Sequence, residues 1–252
     1  MQKFTYYILL FFLPAVILIA CSEQDLFAPA SQVGGAEGQG GSMARFAISG
    51  DYLYTVGNNN LSLFDISNPA DPQKQKEIPL GWGVETIFPY GNKLFIGTQI
   101  GMQILSIENP QEPKHLSQYQ HVVSCDPVVT DGRYAYITLS TGTNCRQAVN
   151  QLQIVDLQNI SNLQLIAQYD MTNPKGLGID QNTLFVCDNG LKIYDATNVK
   201  ALKLKQQFPI NAYDVIPNNG HLLVIGSDGF YQYSYINNDL ELLSKIAVEP
   251  AS

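Results

Sequence analysis

Charged side chains recur at one position in this sequence, ten residues before an aromatic or aliphatic residue that marks each of five similar segments. The five positions are Ala44, Glu85, Asp126, Lys175 and Asp214, counted back from Tyr54, Phe95, Tyr136, Phe185 and Val224. Equivalent positions in a closed repeat protein lie around one axis. We therefore expect three carboxylates and one ammonium at a shared opening, beside Trp82 and Tyr213.

Such an opening supports two kinds of chemistry. A polar cavity with aromatic side chains at its edge binds a small polar ligand, a glycan or a cation. Paired carboxylates instead perform hydrolytic acid–base chemistry, which requires about 5–9.5 Å between the carboxyl groups. A third interpretation stays open, in which each side chain only caps the start of its own strand. The alignment of the segments can also shift by one residue.

The sequence lacks the residues that zinc-dependent and serine-hydrolase chemistry require. The three histidines, His115, His121 and His221, are scattered, and no Cys-x-x-Cys motif occurs. These facts argue against a zinc site and a Ser-His-Asp triad, so no catalytic residue, metal or cofactor is predicted. The formal net charge of -8 excludes nucleic acid as a natural partner.

The first 20 residues have the outline of a secretory signal, with one lysine, a long apolar run and small residues before Cys21. The tetrad Leu18-Ile19-Ala20-Cys21 resembles the bacterial lipoprotein processing box, which implies cleavage before Cys21 and lipidation of its thiol. The alternative is an uncleaved membrane helix, although the apolar run is short for spanning. Residues 21–42 are rich in Gly, Ser, Gln and Ala, which predicts a flexible linker from the anchor.

The remainder, 43–252, repeats a short phrase of alternating apolar residues that ends in Asp or Ser. The phrase ends at Asp65, Ser106, Asp156, Asp195 and Ser234, at intervals of 41, 50, 39 and 39 residues. Each repeat holds about four short strands, and Asn-Gly, Asp-Gly or Gly-Asp dipeptides mark turns between strands in several repeats. This pattern predicts an all-β fold, a five-bladed β-propeller with about four antiparallel strands per blade.

The recurring Asp residues are predicted to be structural. They end a strand before a turn, where Asp and Ser both accept hydrogen bonds from nearby backbone N–H groups. Because Ser replaces Asp in two repeats and the copies lie in different blades, a shared catalytic role is excluded.

The phrases LQIVDL and SLFDISNPADP, with GDYLYTVG before the second, resemble the LVIVD repeat of bacterial β-propellers. The resemblance covers essentially all of 43–252, with Ser106 and Ser234 departing from the motif. It implies a propeller of a kind often secreted or lipid-anchored, and it implies no agreed activity. The stretch from CDPVVTDGRYAYITL to NQLQIVD also resembles the family, which supports a disulfide between Cys125 and Cys145 in an oxidising compartment.

The insertion of about ten residues in the third repeat, with Arg146 and Asn150, is a second candidate contact surface. Cys187 is predicted to be a buried free thiol. We expect a lipid-anchored outer-membrane protein of the bacterial cell envelope, periplasmic or surface-exposed, that binds an envelope protein or a glycan without catalysis. The alternatives are a carbohydrate-active hydrolase that uses the carboxylates and a structural component of an envelope assembly.

Overall fold

The computed structural model describes residues 40–121, 127–141, 149–236 and 239–248, together with the backbone of 37–38. These residues form five antiparallel sheets, each a meander of consecutive strands. Within the described ranges, no helix is long and apolar enough to cross a membrane. The prediction of an all-β, five-bladed β-propeller is confirmed.

Each blade is formed by one contiguous stretch of chain. Blade 1 contains β1 (Glu37–Gly38), β2 (Phe46–Ser49), β3 (Tyr52–Val56), β4 (Asn60–Asp65) and β5 (Gln73–Pro79). Blade 2 contains β6 (Val84–Tyr90), β7 (Lys93–Thr98), β8 (Gly101–Ser106) and β9 (Lys114–Gln120). Blade 3 contains β10 (Val128–Thr130), β11 (Tyr134–Leu139), β12 (Gln151–Asp156) and β13 (Gln164–Asp170). Blade 4 contains β14 (Pro174–Asp180), β15 (Thr183–Asp188), β16 (Leu191–Asp195) and β17 (Lys203–Phe208). Blade 5 contains β18 (Ala212–Asn218), β19 (His221–Gly226), β20 (Gly229–Ser234) and β21 (Glu241–Ala247).

The inner strands of neighbouring blades contact one another around the axis, in the order β2, β6, β10, β14 and β18. The turn after each inner strand uses residues that tolerate positive φ, as the sequence predicts. Gly50 and Gly91 both have a φ of 55°, and Asn219 has a φ of 49°. A left-handed backbone at these points lets two adjacent strands return beside each other with the twist that a blade requires.

The recurring Asp and Ser residues cap turns, which confirms the structural role predicted for them. The N–H of Ser67 donates to Asp65 Oδ1 at 2.9 Å, and that of Gln158 donates to Asp156 Oδ1 at 2.8 Å. In blade 2, where Ser106 replaces Asp, its Oγ accepts from the N–H of Glu108 at 3.3 Å. These contacts end the third strand of a blade and set the direction of the following connection.

Four apolar clusters hold the blades together, one between each consecutive pair. Tyr54 and Leu94 belong to the cluster of blades 1 and 2, and Phe95 and Ile137 to that of blades 2 and 3. Phe185 and Val224 belong to the cluster of blades 4 and 5. Alternate residues of a strand face opposite sides of its sheet, so blades 2, 3 and 4, which each belong to two clusters, are apolar on both faces. Burial of both faces accounts for the 45% apolar and 14% charged composition.

The seam between blades 5 and 1 is packed differently. Here a groove of about 520 Å³ lies between the two blades, lined by Met43, Phe46 and Ile48 on one side and by Tyr213, Ile216 and Ile225 on the other. Phe46 remains 56% exposed, whereas Tyr54 on the opposite face of blade 1 is fully buried. No strand is exchanged across this seam among the described residues, because each sheet is built from consecutive strands.

The end of the predicted linker lies inside the propeller. β1 pairs antiparallel with the inner edge of β2, with Gly38 opposite Ile48. Gly41 and Ser42 are buried. The signal peptide, the lipidation site Cys21 and the disulfide pair Cys125 and Cys145 lie outside the described residues and stay predictions. Cys187 is a buried free thiol, as predicted.

Tyr54 supplies a test of the packing between blades 1 and 2. Its buried hydroxyl donates to the carbonyl oxygen of Pro110 at 2.9 Å. We expect Tyr54→Phe to lower the free energy of unfolding by about 1 kcal/mol, because that acceptor loses its partner. The matched control is Tyr52→Phe, whose hydroxyl accepts from Gln111 Nε2 on the surface and should cost less than about 0.5 kcal/mol. Denaturant titrations check this, and equal losses in the two variants would contradict it.

Candidate functional site

A β-bulge places one side chain at the same point in blades 2, 4 and 5. The pairing of the inner strand with its neighbour shifts between Val84 and Thr86, between Pro174 and Leu177, and between Ala212 and Asp214. The residues in the bulges are Glu85 in blade 2, Lys175 followed by Gly176 in blade 4, and Tyr213 in blade 5. A bulge redirects the side chain that it carries, which is why bulges are frequent beside binding sites.

This geometry corrects the predicted alignment in blade 5. Phe95 and Phe185 pack against the following blade, whereas Val224 packs against the preceding one. Since a shift of one residue reverses the face of a strand, the residue equivalent to Phe185 is Leu223. Counting back ten residues from Leu223 gives Tyr213 rather than Asp214. Asp214 is therefore one position further into its strand than the ring prediction required.

Lys175 and Tyr213 meet at the end of the channel where the inner strands begin. The Lys175 Nζ lies 4.4 Å from the centroid of the Tyr213 ring, a cation–π contact. The backbone of Lys175 is held in place because Thr138 Oγ1 donates to its carbonyl oxygen at 2.6 Å. Within the described part of the chain, no carboxylate forms an ion pair with the Lys175 ammonium. Both residues belong to the predicted site, and their role in binding a ligand stays a prediction.

A cavity of about 370 Å³ is lined in part by Lys175, and we call it the mouth cavity. Its lining includes Thr172, Asn173, Lys175, Asn189 and Asn211 from the loops of blades 4 and 5. Three side-chain amides and one ammonium thus surround a space of the size that a small polar ligand occupies. The asparagines were not predicted, because single asparagines in loops are ordinary turn residues and carry no distinguishing signal.

Asp188 fixes the loop that forms one wall of the mouth cavity. Its side chain is buried and accepts from the N–H groups of Thr172 and Asn173 at 2.9 and 2.6 Å, and it pairs with Lys192 Nζ at 2.6 Å. Burial raises the pKa of Asp188, but the two backbone donors and Lys192 outweigh it and leave the pKa below its usual value. The wall is therefore held by an ionised carboxylate at neutral pH.

Cys187 also lines the mouth cavity, but its thiol has low reactivity. Burial, and after it the charge of Asp214, raises the pKa of its thiol well above the usual value, although Lys175 acts in the opposite direction. A thiol that stays protonated is a poor nucleophile and a poor metal ligand. Cys187 thus serves as a small apolar residue of the core between blades 4 and 5.

Asp214 ties the chain that enters the channel to blade 5. It is 5% exposed and accepts from Ser42 Oγ at 2.8 Å and from the N–H of Met43 at 3.1 Å. Ser42 Oγ in turn accepts from the N–H of Leu177 at 2.9 Å, which links blade 4 to the same point. Burial raises the pKa of Asp214 to about 6 against the effect of these donors.

Two glycines allow the backbone of residues 41 and 176 to lie close to the Asp214 side chain. A Cβ built on Gly41 would lie 2.1 Å from Asp214 Oδ2, and one built on Gly176 would lie 2.1 Å from Asp214 Oδ1 and 2.7 Å from its Cα. Neither glycine nor Ser42 stood out in the sequence, since all three resemble ordinary linker and strand residues.

The other predicted site residues lie apart or outside the described ranges. Trp82 is 71% exposed and borders a smaller cavity of about 170 Å³ beside Tyr119. Glu85 accepts from Gln99 Nε2 at 2.9 Å. Neither lines the mouth cavity. Asp126 and Arg146 lie outside the described residues, so their part in the site stays a prediction, whereas Asp214 lies one position away from the predicted ring. Among the described residues, no group of His, Cys, Asp or Glu is arranged to hold a metal ion.

Comparison with known proteins supports the repeat assignment. The LVIVD repeat family model matches residues 40–76 and 124–171. A search of the curated proteins finds no match.

Similar folds occur among solved structures. One is a protein from Lactobacillus plantarum, with a TM-score of 0.62 and 12% identity over 79% of this chain and 72% of that one. A functionally unknown protein from Desulfotomaculum acetoxidans has a TM-score of 0.61 and 13% identity over 81% and 70% of the two chains. The periplasmic gluconolactonase of Pseudomonas aeruginosa has a TM-score of 0.58 and 13% identity over 79% and 68%. At these identities the likeness shows the fold alone.

The raised pKa of Asp214 predicts a pH dependence of stability. Between the unfolded pKa near 3.8 and the folded value of about 6, the folded state keeps a proton that the unfolded state has released. Asp214 therefore favours folding below about pH 4, and this contribution is lost as the pH rises to about 7, by about 3 kcal/mol. In Asp214→Asn this loss should vanish, because an amide does not titrate in this range.

The measurement is the free energy of unfolding of both proteins at several pH values across this window. Asp188→Asn is the contrasting variant. The lowered pKa of Asp188 means that its carboxylate stabilises the wild type at neutral pH and loses this effect on acidification, so the variant should lack that loss. Parallel pH profiles for the wild type and Asp214→Asn would contradict the assignment.

Proposed function

We propose that this chain, a five-bladed β-propeller of the LVIVD-repeat family, is a lipid-anchored binding module of the cell envelope. Its ligand is a glycan that carries an acidic group, and it binds in the mouth cavity beside Lys175 and Tyr213. The single observation that carries this proposal is the Lys175 ammonium, which faces an aromatic ring and an amide-lined cavity without a carboxylate partner among the described residues.

Electrostatics favours an anionic ligand at this point. The chain carries a net charge of -8, so an acidic molecule is repelled by most of its surface. Lys175 places a positive charge on this otherwise acidic surface. The ring of Tyr213 orients the Lys175 ammonium without neutralising its charge. A carboxylate or sulfate that reaches the cavity accepts a charge-assisted hydrogen bond from the Lys175 ammonium, which outweighs the weak repulsion from the rest of the surface.

The neutral part of the ligand is matched by the amides. Side-chain amides both donate and accept hydrogen bonds, as sugar hydroxyls do. Asn173, Asn189 and Asn211 stand on loops that the blades hold rigidly, and Asn211 is further oriented because its Nδ2 donates to Ser227 Oγ at 3.0 Å. A volume of about 370 Å³ accommodates one or two sugar rings.

The proposed anchor fits a binding role. Lipidation at Cys21 and a linker that begins there would hold the propeller near a membrane while leaving its loops free to meet a ligand. The location that this implies is the outer membrane of the cell envelope, with an envelope glycan as the partner. We do not adopt hydrolysis, because Asp214, one of its three proposed carboxylates, is occupied by Ser42 and Met43.

Lys175→Gln tests the proposal. We expect this variant to bind an oligosaccharide that contains glucuronate about tenfold or more weakly than the wild type, because a hydrogen bond to a charged group is lost. Binding is measured by isothermal titration calorimetry with the glucuronate oligosaccharide and with its neutral glucose counterpart, which should bind weakly to both proteins at this site.

The matched control is Lys203→Gln, which makes the same change of charge on the exposed outer strand of the same blade. Equal affinity of the wild type and Lys175→Gln for every acidic oligosaccharide, or no binding of any of them, would overturn the proposal.

A further inference from the structure

The connections between the third and fourth strands fill the clefts between blades. In blades 1 to 4 this connection has seven residues, for example 107–113 and 196–202. Its first residue is buried against the preceding blade in blades 2, 3 and 4, as Ile107, Leu157 and Ala196. The fourth residue follows it into the cleft: Val199 is buried there, and its carbonyl oxygen accepts from Tyr169 OH at 2.8 Å.

Blade 5 departs from this pattern. Its connection, 235–240, has six residues and begins with Tyr235 in place of a small or aliphatic residue. Of its described residues, Tyr235 and Leu240 pack against the cluster of blades 4 and 5. Beside Tyr235 a cavity of about 430 Å³ remains, which we call the blade 4–5 cavity. It lies at the end of the two blades opposite to the mouth cavity, since its lining includes Asn182 in the turn after β14.

Tyr235 is a rigid wall of this cavity. Its ring packs edge-on against Phe185, with the centroids 5.0 Å apart and the planes at 66°. Its hydroxyl donates to Asp180 Oδ2 at 2.5 Å, and its N–H donates to the carbonyl oxygen of Gly220 at 2.9 Å. An aromatic ring fixed at both ends offers an apolar face to a ligand at little cost in conformational entropy.

The facing wall is polar and has free hydrogen-bonding capacity. The side-chain amides of Gln206 and Asn182 make no hydrogen bond to any described residue, and Gln206 is half-buried. A half-buried amide without a protein partner is available to a ligand or to water. Asp195 and Lys205 complete this wall and form an ion pair at 3.4 Å, so their charges largely cancel.

We propose that the blade 4–5 cavity is a second binding site, specific for a neutral saccharide. A sugar ring has an apolar C–H face, which matches the ring of Tyr235, and a rim of hydroxyl groups, which matches the amides and the ion pair. Because Asp195 and Lys205 neutralise each other, the cavity gives no advantage to an acidic sugar, in contrast to the mouth cavity. This inference does not rest on the function proposed above.

The experiment uses the folded propeller and a panel of neutral saccharides: glucose, galactose, N-acetylglucosamine and their β-linked disaccharides. Saturation-transfer difference NMR identifies which saccharide binds, and calorimetry measures its affinity. We expect at least one member to bind the wild type, and Gln206→Ala and Asn182→Ala each to weaken that binding about three- to tenfold.

The matched control is Gln207→Ala. Gln207 is the next residue of the same strand and points away from the cavity, where its Nε2 donates to the carbonyl oxygen of Asn189 at 2.9 Å. This variant should bind the saccharide as the wild type does. Melting temperatures establish that each variant is folded. If Gln206→Ala does not fold, Asn182→Ala tests the proposal alone, because Asn182 is exposed.

Two results would overturn the proposal. One is the absence of binding by every neutral saccharide of the panel. The other is binding that is lost in Lys175→Gln and unchanged in Gln206→Ala and Asn182→Ala, which would place the neutral saccharide in the mouth cavity. Failure of acidic oligosaccharides to bind at Lys175, with neutral saccharides still dependent on Gln206, would refute only the function of the mouth cavity.

Discussion

The buried carboxylate of Asp214 connects the two ends of this propeller. A ring of blades needs a device that holds the first blade to the last, and here no strand crosses that seam among the described residues. Instead, Ser42 and Met43 donate to Asp214, and Leu177 donates to Ser42. The seam groove itself has exposed apolar walls at Phe46 and Ile225, so apolar packing contributes less there than between the other blades.

A polar tie of this kind has consequences for its surroundings. Burying a carboxylate costs free energy unless donors satisfy it, and the Ser42 hydroxyl with the N–H groups of Met43 and Val215 still leaves its pKa raised to about 6. The close approach also requires glycine at positions 41 and 176. The residues that precede blade 1 are therefore part of the propeller centre, and their Gly and Ser content serves close packing as well as flexibility.

The two cavities of blades 4 and 5 lie beside the changed connection of blade 5 and beside the bulges of the inner strands. Where the repeat is kept, as at Ile107 or Val199, apolar side chains close the cleft between blades. At the changed connection that begins with Tyr235, and beside the recurring bulges of Lys175 and Tyr213, polar and aromatic groups face open space. A regular scaffold with local exceptions is the general way in which one fold carries many functions.

The sequence by itself determined the fold. Strand alternation, turn residues and a period of about forty residues are local signals, and each repeats five times, so errors in one blade are corrected by the others. The capping role of Asp65 and Asp156 follows from the same local chemistry and is confirmed. The repeat also predicted that Lys175 lies at the start of an inner strand, where the structure places it.

Only the tertiary structure decided the face of each side chain and the partner of each buried group. In the sequence, Val224 and Leu223 are equally plausible as the residue that aligns blade 5 with the other blades. The structure distinguishes them, because Val224 is on the face that packs on blade 4. Asp214 consequently lies outside the predicted ring. The pairing of Ser42 with Asp214 spans 172 residues and leaves no local signal. The same holds for the blade 4–5 cavity, which Asn182 and Tyr235 line from two different blades, because residue order does not encode that space locally.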